Sequence, residues 1–295
     1  MRLRFINSRR RTAVVALATA CISAFAGLVV ASPATADEPV KYVALGDSMA
    51  SGPLILPFTG PIACGRSTRN YARLLAAQVK ATSFTDVTCS GADTGDLFSP
   101  MKLSLAGVDA GTAPAQLDAL KPDTTLVTLT IGGNDAGLVG VAQDCIRLNY
   151  FATPCMNALT AGGVDKIANR INDFAPDLAA SLQRIHALSP QARVLVTGYG
   201  YYIKRNGCWP KQPWLPKDAN YLQEKVHQLN VTIAAVAAAN DAEYVDVETP
   251  SVGHDACQAP ATRWVEGLVP TSPASPLHPN AAGEAAYASI IGATL

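Results

Sequence analysis

The chain of 295 residues has little charge and no excess of either sign. Charged side chains make up 16%, and 23 basic residues balance 23 acidic ones. A nucleic-acid binder carries a basic excess, so the totals argue against that class. Histidine is scarce, at four residues, and no Cys-x-x-Cys or His-x-x-x-His pair occurs. The spacings by which zinc sites are read are therefore missing, and no metal or other cofactor is expected. Also absent are an internal repeat and a Ser/Gly linker, so one folded domain is expected despite the length. What is present is apolar: 49% hydrophobic residues exclude a disordered chain and supply a sizeable core.

The first 36 residues read differently from the rest. Residues 2 to 11 hold five arginines and no acid, and an uncharged apolar run follows from Thr12 to Ala31. It ends in Pro33-Ala34-Thr35-Ala36, small residues of the kind a signal peptidase reads. A charged start, apolar middle and A-x-A-like end describe a secretory signal, removed after residue 36. A membrane anchor is the competing reading of such a run. Ser8-Arg9-Arg10-Arg11 leaves the twin-arginine route open beside the general one. Lipoprotein processing at Cys21 is disfavoured, because the apolar run continues well past it. The remaining 37–295 holds eighteen basic and 23 acidic residues and six of the seven cysteines. An even cysteine count in an exported chain favours three disulfides. No later run is long enough to span a bilayer, so no stable membrane anchor is expected once the signal is gone. The expected product is a secreted monomer.

Strand and helix patterns alternate along 37–295. Tyr42–Gly46, Phe84–Thr88, Thr124–Ile131, Arg193–Thr197 and Glu243–Val247 read as strands. Thr124–Ile131 is almost wholly apolar or threonine, as a central strand covered on both faces should be. Helical spacing marks Asn70–Lys80, Val164–Ala187, Asn220–Asn240 and Ala281–Ile290. Pro176 predicts a kink in the second of these, or its division into two helices. The alternation predicts a parallel sheet covered by helices on both faces. Ligands of such sheets bind beyond the carboxyl ends of the strands.

Those ends carry polar residues and glycines. Ser48 in Gly46-Asp47-Ser48-Met49 follows the first strand, as a nucleophile or as a helix cap. Gly91 in Cys89-Ser90-Gly91-Ala92 follows the second, as an N–H donor or an ordinary turn glycine. Asn134 in Gly132-Gly133-Asn134-Asp135 follows the third, as an amide donor to an oxyanion or a cap for a helix over 135–142. His278 in Ser275-Pro276-Leu277-His278-Pro279-Asn280 lies near the end, beside a stiffening proline, as a candidate general base. His186 and His227 sit within helical patterns, and His254 is the reserve for the base.

Gly-Asp-Ser, Gly91, Gly-Gly-Asn-Asp and His-Pro-Asn, in this order and spacing, resemble the SGNH (GDSL-type) hydrolase family. The resemblance covers nearly all of 37–295. It implies an α/β fold: a three-layer αβα sandwich around a flavodoxin-like parallel five-stranded sheet. It further implies a serine esterase or lipase acting on acyl esters, with Ser48 as nucleophile and His278 as base. The implied oxyanion hole comprises the Ser48 and Gly91 N–H groups and the Asn134 side chain. The six cysteines resemble those of secreted actinomycete lipases and esterases, which implies bridges Cys64–Cys89, Cys145–Cys155 and Cys208–Cys257. Two positions depart from the family pattern. Met49 replaces the usual leucine, a volume-conserving change. Ser275 stands where the family often has an aspartate that orients the histidine, so the carbonyl of Ser275 or Pro276 is expected to accept from His278. A remote carboxylate such as Asp255 is the alternative.

The substrate is less legible. The Pro-rich loop 53–61 and Tyr199, Tyr201, Tyr202, Trp209 and Trp214 either line the cleft or pack their loops onto the domain. Acyl esters of lipids are the first expectation. A polysaccharide deacetylase is the alternative enzyme, and a non-catalytic cell-wall-binding module the alternative class.

Overall fold

The computed structural model describes residues 39–295; the expected signal at 1–36, with Cys21, lies outside the described residues. The chain runs through β1 (Lys41–Gly46), α1 (Ser48–Ser51), α2 (Tyr71–Gln78), β2 (Ser83–Asp86), α3 (Gly95–Phe98), β3 (Met101–Leu105) and β4 (Val108–Ala113). It continues through β5 (Leu126–Thr130), α4 (Leu138–Asp144), α5 (Met156–Leu159), α6 (Lys166–Leu188), β6 (Arg193–Thr197), α7 (Pro216–Ala239), β7 (Glu243–Val245) and α8 (Ala281–Gly292). Five strands pair in the order β2-β1-β5-β6-β7, all parallel. This is the flavodoxin-like order, and it reverses direction between β1 and β5.

Side-chain alternation along the strands explains the layers. Val43, Leu45, Val127, Leu129, Val194 and Val196 point to one face, into a core shared with Phe174, Leu178 and Leu182 of α6 and Leu229 and Ile233 of α7. Tyr42, Ala44, Leu126, Leu195 and Val245 point to the other, against Tyr71 and Leu75 of α2 and Ala288 and Ile291 of α8. The result is a three-layer α/β/α sandwich. Among the described residues no helix is long and apolar enough to cross a membrane.

Several local features differ from the sequence expectation. Pro176 lies inside one continuous 23-residue α6. It and Asn172, whose carbonyl loses the i→i−4 partner, are both exposed, so water can satisfy that oxygen without ending the helix. Helix α7 starts at Pro216, which occupies the first helical position where its missing N–H costs nothing. Two strands end early because an aspartate turns the chain: Asp86 Oδ1 accepts from Thr88 N at 3.1 Å, and Asp246 Oδ1 from Glu248 N at 2.8 Å. The antiparallel hairpin β3–β4 carries no strong sequence signal. Its two-residue turn places Ala106 as well as Gly107 at positive φ, where Asn-Gly is the usual mark.

Disulfides join Cys64 to Cys89, Cys145 to Cys155 and Cys208 to Cys257. The first ties the turn before α2 to the segment leaving β2, beside the carboxyl edge of the sheet.

Candidate active site

At the reversal between β1 and β5, strand ends deliver side chains to one cleft, as the topology requires. Buried Gln116 clamps the end of β1: its Oε1 accepts from Gly46 N at 2.7 Å and its Nε2 donates to Gly46 O at 3.0 Å. Asp47 then caps α1, accepting the Met49 N–H at 2.8 Å. With the cap filled by its neighbour, the Ser48 hydroxyl is left for another partner. That partner is His278, whose Nε2 lies 2.7 Å from Ser48 Oγ.

The other imidazole nitrogen, Nδ1, lies 2.7 Å from the Pro276 carbonyl oxygen. A carbonyl only accepts, so Nδ1 carries the hydrogen and Nε2 presents its lone pair to the serine. The Ser275 carbonyl is used differently, accepting the His278 backbone N–H at 3.1 Å. Asp255 is turned away: its carboxylate accepts from Cys257 N and Gln258 Nε2. His254 stacks on Trp264 and does not reach the serine. Burial holds the His278 imidazole below its ordinary pKa, and the bond to Pro276 offsets part of that.

The loop bearing His278 hangs on Glu266. Glu266 N donates to His278 O at 3.0 Å, and Glu266 O accepts from Leu277 N at 3.1 Å. Its buried carboxylate accepts from Arg263 Nη2 at 2.6 Å, Asn280 Nδ2 at 2.9 Å and Ser272 Oγ at 2.6 Å.

Of the three donors expected for an oxyanion, Ser48 and Asn134 line this same cleft. Among the described residues, neither Ser48 N–H nor Gly91 N–H has a hydrogen-bond acceptor. Gly91 has φ +88°, a left-handed conformation that a side chain would strain. Asn134 gives one amide hydrogen to Ala92 O at 2.8 Å, which fixes the amide and leaves its second hydrogen free. Asn134 is thus no helix cap: α4 begins later, after Gly137. Asp135 binds the Thr94 hydroxyl at 2.5 Å and the Thr94 N–H at 3.1 Å, tying this turn to the Gly91 loop.

Beside Ser48 opens a narrow apolar cavity of about 50 Å³. Leu138, Val139, Ala142, Ile203, Leu222 and Val226 wall it, with Tyr199 and Tyr202. The Pro-rich loop 53–61 is not part of this wall; the Pro53 carbonyl instead accepts from Ser275 N at 2.9 Å. Trp214 and Trp209 are packing residues whose indoles donate to Ala142 O and Arg147 O. The aliphatic wall from α4 and α7 was not read from the sequence, nor were Gln116, Glu266 and the Asp135–Thr94 tie. Each looks ordinary in its own segment and acts on a distant one. Among the described residues no group of three or more His, Cys, Asp or Glu side chains could hold a metal ion.

Fold and site define a carboxylic ester hydrolase of the SGNH type. The chain belongs to the GDSL-like Lipase/Acylhydrolase family, whose sequence pattern matches residues 44–286. It is 37% identical over 263 residues to Lipase 2 of Streptomyces coelicolor, covering 86% of this chain and 85% of that one. A phospholipase A1 from Streptomyces albidoflavus superposes with a TM-score of 0.72 at 28% identity, over 87% of this chain and all of the other. An extracellular lipase from Streptomyces rimosus gives 0.67 at 27%, over 87% of this chain and all of its own.

Proposed function

We propose that the protein is a secreted serine lipase or esterase that cleaves acyl esters of lipids through an acyl-enzyme on Ser48. The observation that carries this reading is the line Ser48 Oγ–His278 Nε2 and His278 Nδ1–Pro276 O, each step 2.7 Å, at the mouth of an apolar cavity. Ser48 Oγ attacks the ester carbonyl carbon as its proton passes to Nε2 of His278. The carbonyl electron pair moves to oxygen, and the Ser48 N–H, the Gly91 N–H and the Asn134 amide face that oxyanion. Each such donor is worth about 10²–10³ in rate. Collapse breaks the bond to the alcohol oxygen, which leaves with the proton from His278. Water then gives a proton to His278 and attacks the acyl-enzyme, releasing the acid and regenerating Ser48.

Aliphatic walls next to Ser48 favour an acyl chain over a sugar ring, which would seek polar partners. The names lipase and phospholipase A1 borne by the relatives support the same choice. The leader-like composition of 1–36, three disulfides and an extracellular relative support export, with 37–295 as one working domain. Rates on esters from acetyl to long acyl, with a phospholipid included, test the substrate class. Turnover rising beyond acetyl is expected; activity on acetyl esters alone would mean a deacetylase.

A further inference from the structure

The residue before the serine and the residue before Asn134 meet on one side chain that neither motif contains. Gly133 N donates to Tyr199 Oη at 2.7 Å, and Tyr199 Oη donates to Asp47 Oδ2 at 2.6 Å. The phenol oxygen thus joins the turn after β5 to the turn after β1. Tyr199 is itself fixed. Asn230 of α7 accepts the Tyr199 N–H at 2.7 Å and donates to the Tyr199 carbonyl at 2.8 Å. The ring is 2% exposed. It also explains the glycine opposite: a Cβ at Gly133 would lie 3.0 Å from the ring and 3.1 Å from its oxygen.

We infer that Tyr199 is a positioning residue, whose hydroxyl holds the Asn134 amide in register with the Ser48 nucleophile. The inference rests on the assignment of Ser48 and Asn134 given above. An oxyanion donor is useful only where the charge develops, and a displacement of about 1 Å costs roughly 10²-fold. Asn134 is held on one side by Ala92 O, and its own backbone is held by the Gly133–Tyr199 bond. Without the phenol oxygen, the Gly133 N–H and the Asp47 carboxyl lose a common partner, and beyond the Asp47 N–Thr130 O bond at the strand ends the two turns can shift relative to one another. The Asp47 carboxyl is sensitive to that loss. Burial raises its pKa to about 7, and the bonds from Tyr199 and Met49 hold it from rising further.

The test is a double-mutant cycle between Tyr199→Phe and Asn134→Ala, read as kcat and KM on one soluble ester. Phenylalanine keeps the ring and removes only the oxygen. Tyr199→Phe is expected to lower kcat about 10–100-fold with KM nearly unchanged. In the Asn134→Ala background the same change is expected to cost no more than about twofold, because the group it positions is already gone. A kcat equal to wild type in Tyr199→Phe, or a full loss that persists without Asn134, overturns the inference while leaving the ester-hydrolase assignment standing. An unchanged kcat in Asn134→Ala alone overturns the assignment of Asn134 and the inference with it. If Tyr199→Phe does not fold, Asn230→Ala reads the same link by freeing the backbone from which the phenol hangs. Its kcat loss is expected to vanish in the Asn134→Ala background, and persistence there overturns the inference.

Discussion

Pro276 O takes the hydrogen bond from His278 Nδ1 at 2.7 Å, in the place where an orienting carboxylate would otherwise stand. The carbonyl can only accept, so it still fixes the tautomer. It lacks the negative charge that stabilises an imidazolium. Burial therefore dominates, and the imidazole pKa falls below the ordinary 6.5. The base works when neutral, so activity is lost only as pH drops through this lowered value and is full above it. Nitrogen-15 NMR of the His278 ring should show its midpoint below 6.5. It reads that ring separately from the Asp47 carboxyl, which titrates at about 7. A midpoint at or above 6.5 would contradict the account.

Glu266 ought to matter for both stability and turnover. Arg263 and Glu266 are 2% and 0% exposed and form a buried ion pair. Removing one partner of such a pair costs about 3–5 kcal/mol, because the other charge is left unpaired. Glu266→Ala is thus expected to lower the denaturant midpoint and to reduce kcat through the His278 loop. Burial alone would raise the Glu266 pKa, but bonds from Asn280, Ser272 and Thr271, with the Arg263 charge, hold it below 4.5. Its contribution is present above 4.5 and lost as pH falls through the lowered value. The gap between wild type and Glu266→Ala should close in the same direction in unfolding curves.

Glu284 has the opposite sign. Its Oε2 caps α2 by accepting Tyr71 N–H at 2.7 Å, while Oε1 has no partner among the described residues. Burial pushes this carboxyl well above 4.5, and the Tyr71 bond offsets only part of the rise. The unfolded chain releases this proton from about pH 4.5 upward while the folded one keeps it, so stability falls as pH rises above that point. Glu284→Gln should remove that slope. The variant is expected to gain on wild type in unfolding midpoint between acidic and alkaline pH, and a constant difference would refute the reading.

The bridge Cys64–Cys89 stands two residues from Gly91. Ser90 N also donates to Cys64 O at 3.0 Å, and Cys89 N to Gly46 O at 2.9 Å. A disulfide of this kind contributes about 2–4 kcal/mol to stability. Titrating with reductant should lower ester hydrolysis before tryptophan fluorescence reports unfolding. Coincident loss would leave the bridge a purely structural brace.

The sheet was legible in the sequence because its central strands β1, β5 and β6 are short apolar or β-branched runs and α6 shows an apolar stripe. Its three strand-end motifs and the His278 loop were legible because glycine, serine, asparagine and histidine carry local chemistry. What could not be read depends on residues far apart in sequence. Pro276 and Ser275 offer identical carbonyls, and only the loop geometry assigns one to the ring and one to the backbone. Tyr199 reads as one aromatic among five in a loop, and its reach to Asp47, 152 positions away, exists only in the fold. The β3–β4 hairpin escaped because its turn uses alanine where asparagine is usual.

Ser48, activated by His278, is expected to be acylated during turnover. Treating the protein with a fluorophosphonate, then mapping the adduct by mass spectrometry while following ester hydrolysis, tests it most directly. A single adduct on the peptide containing Ser48, formed in step with loss of activity and absent from a folded, inactive Ser48→Ala protein, is the expected result. An adduct on another residue, or wild-type hydrolysis by Ser48→Ala, would contradict the account.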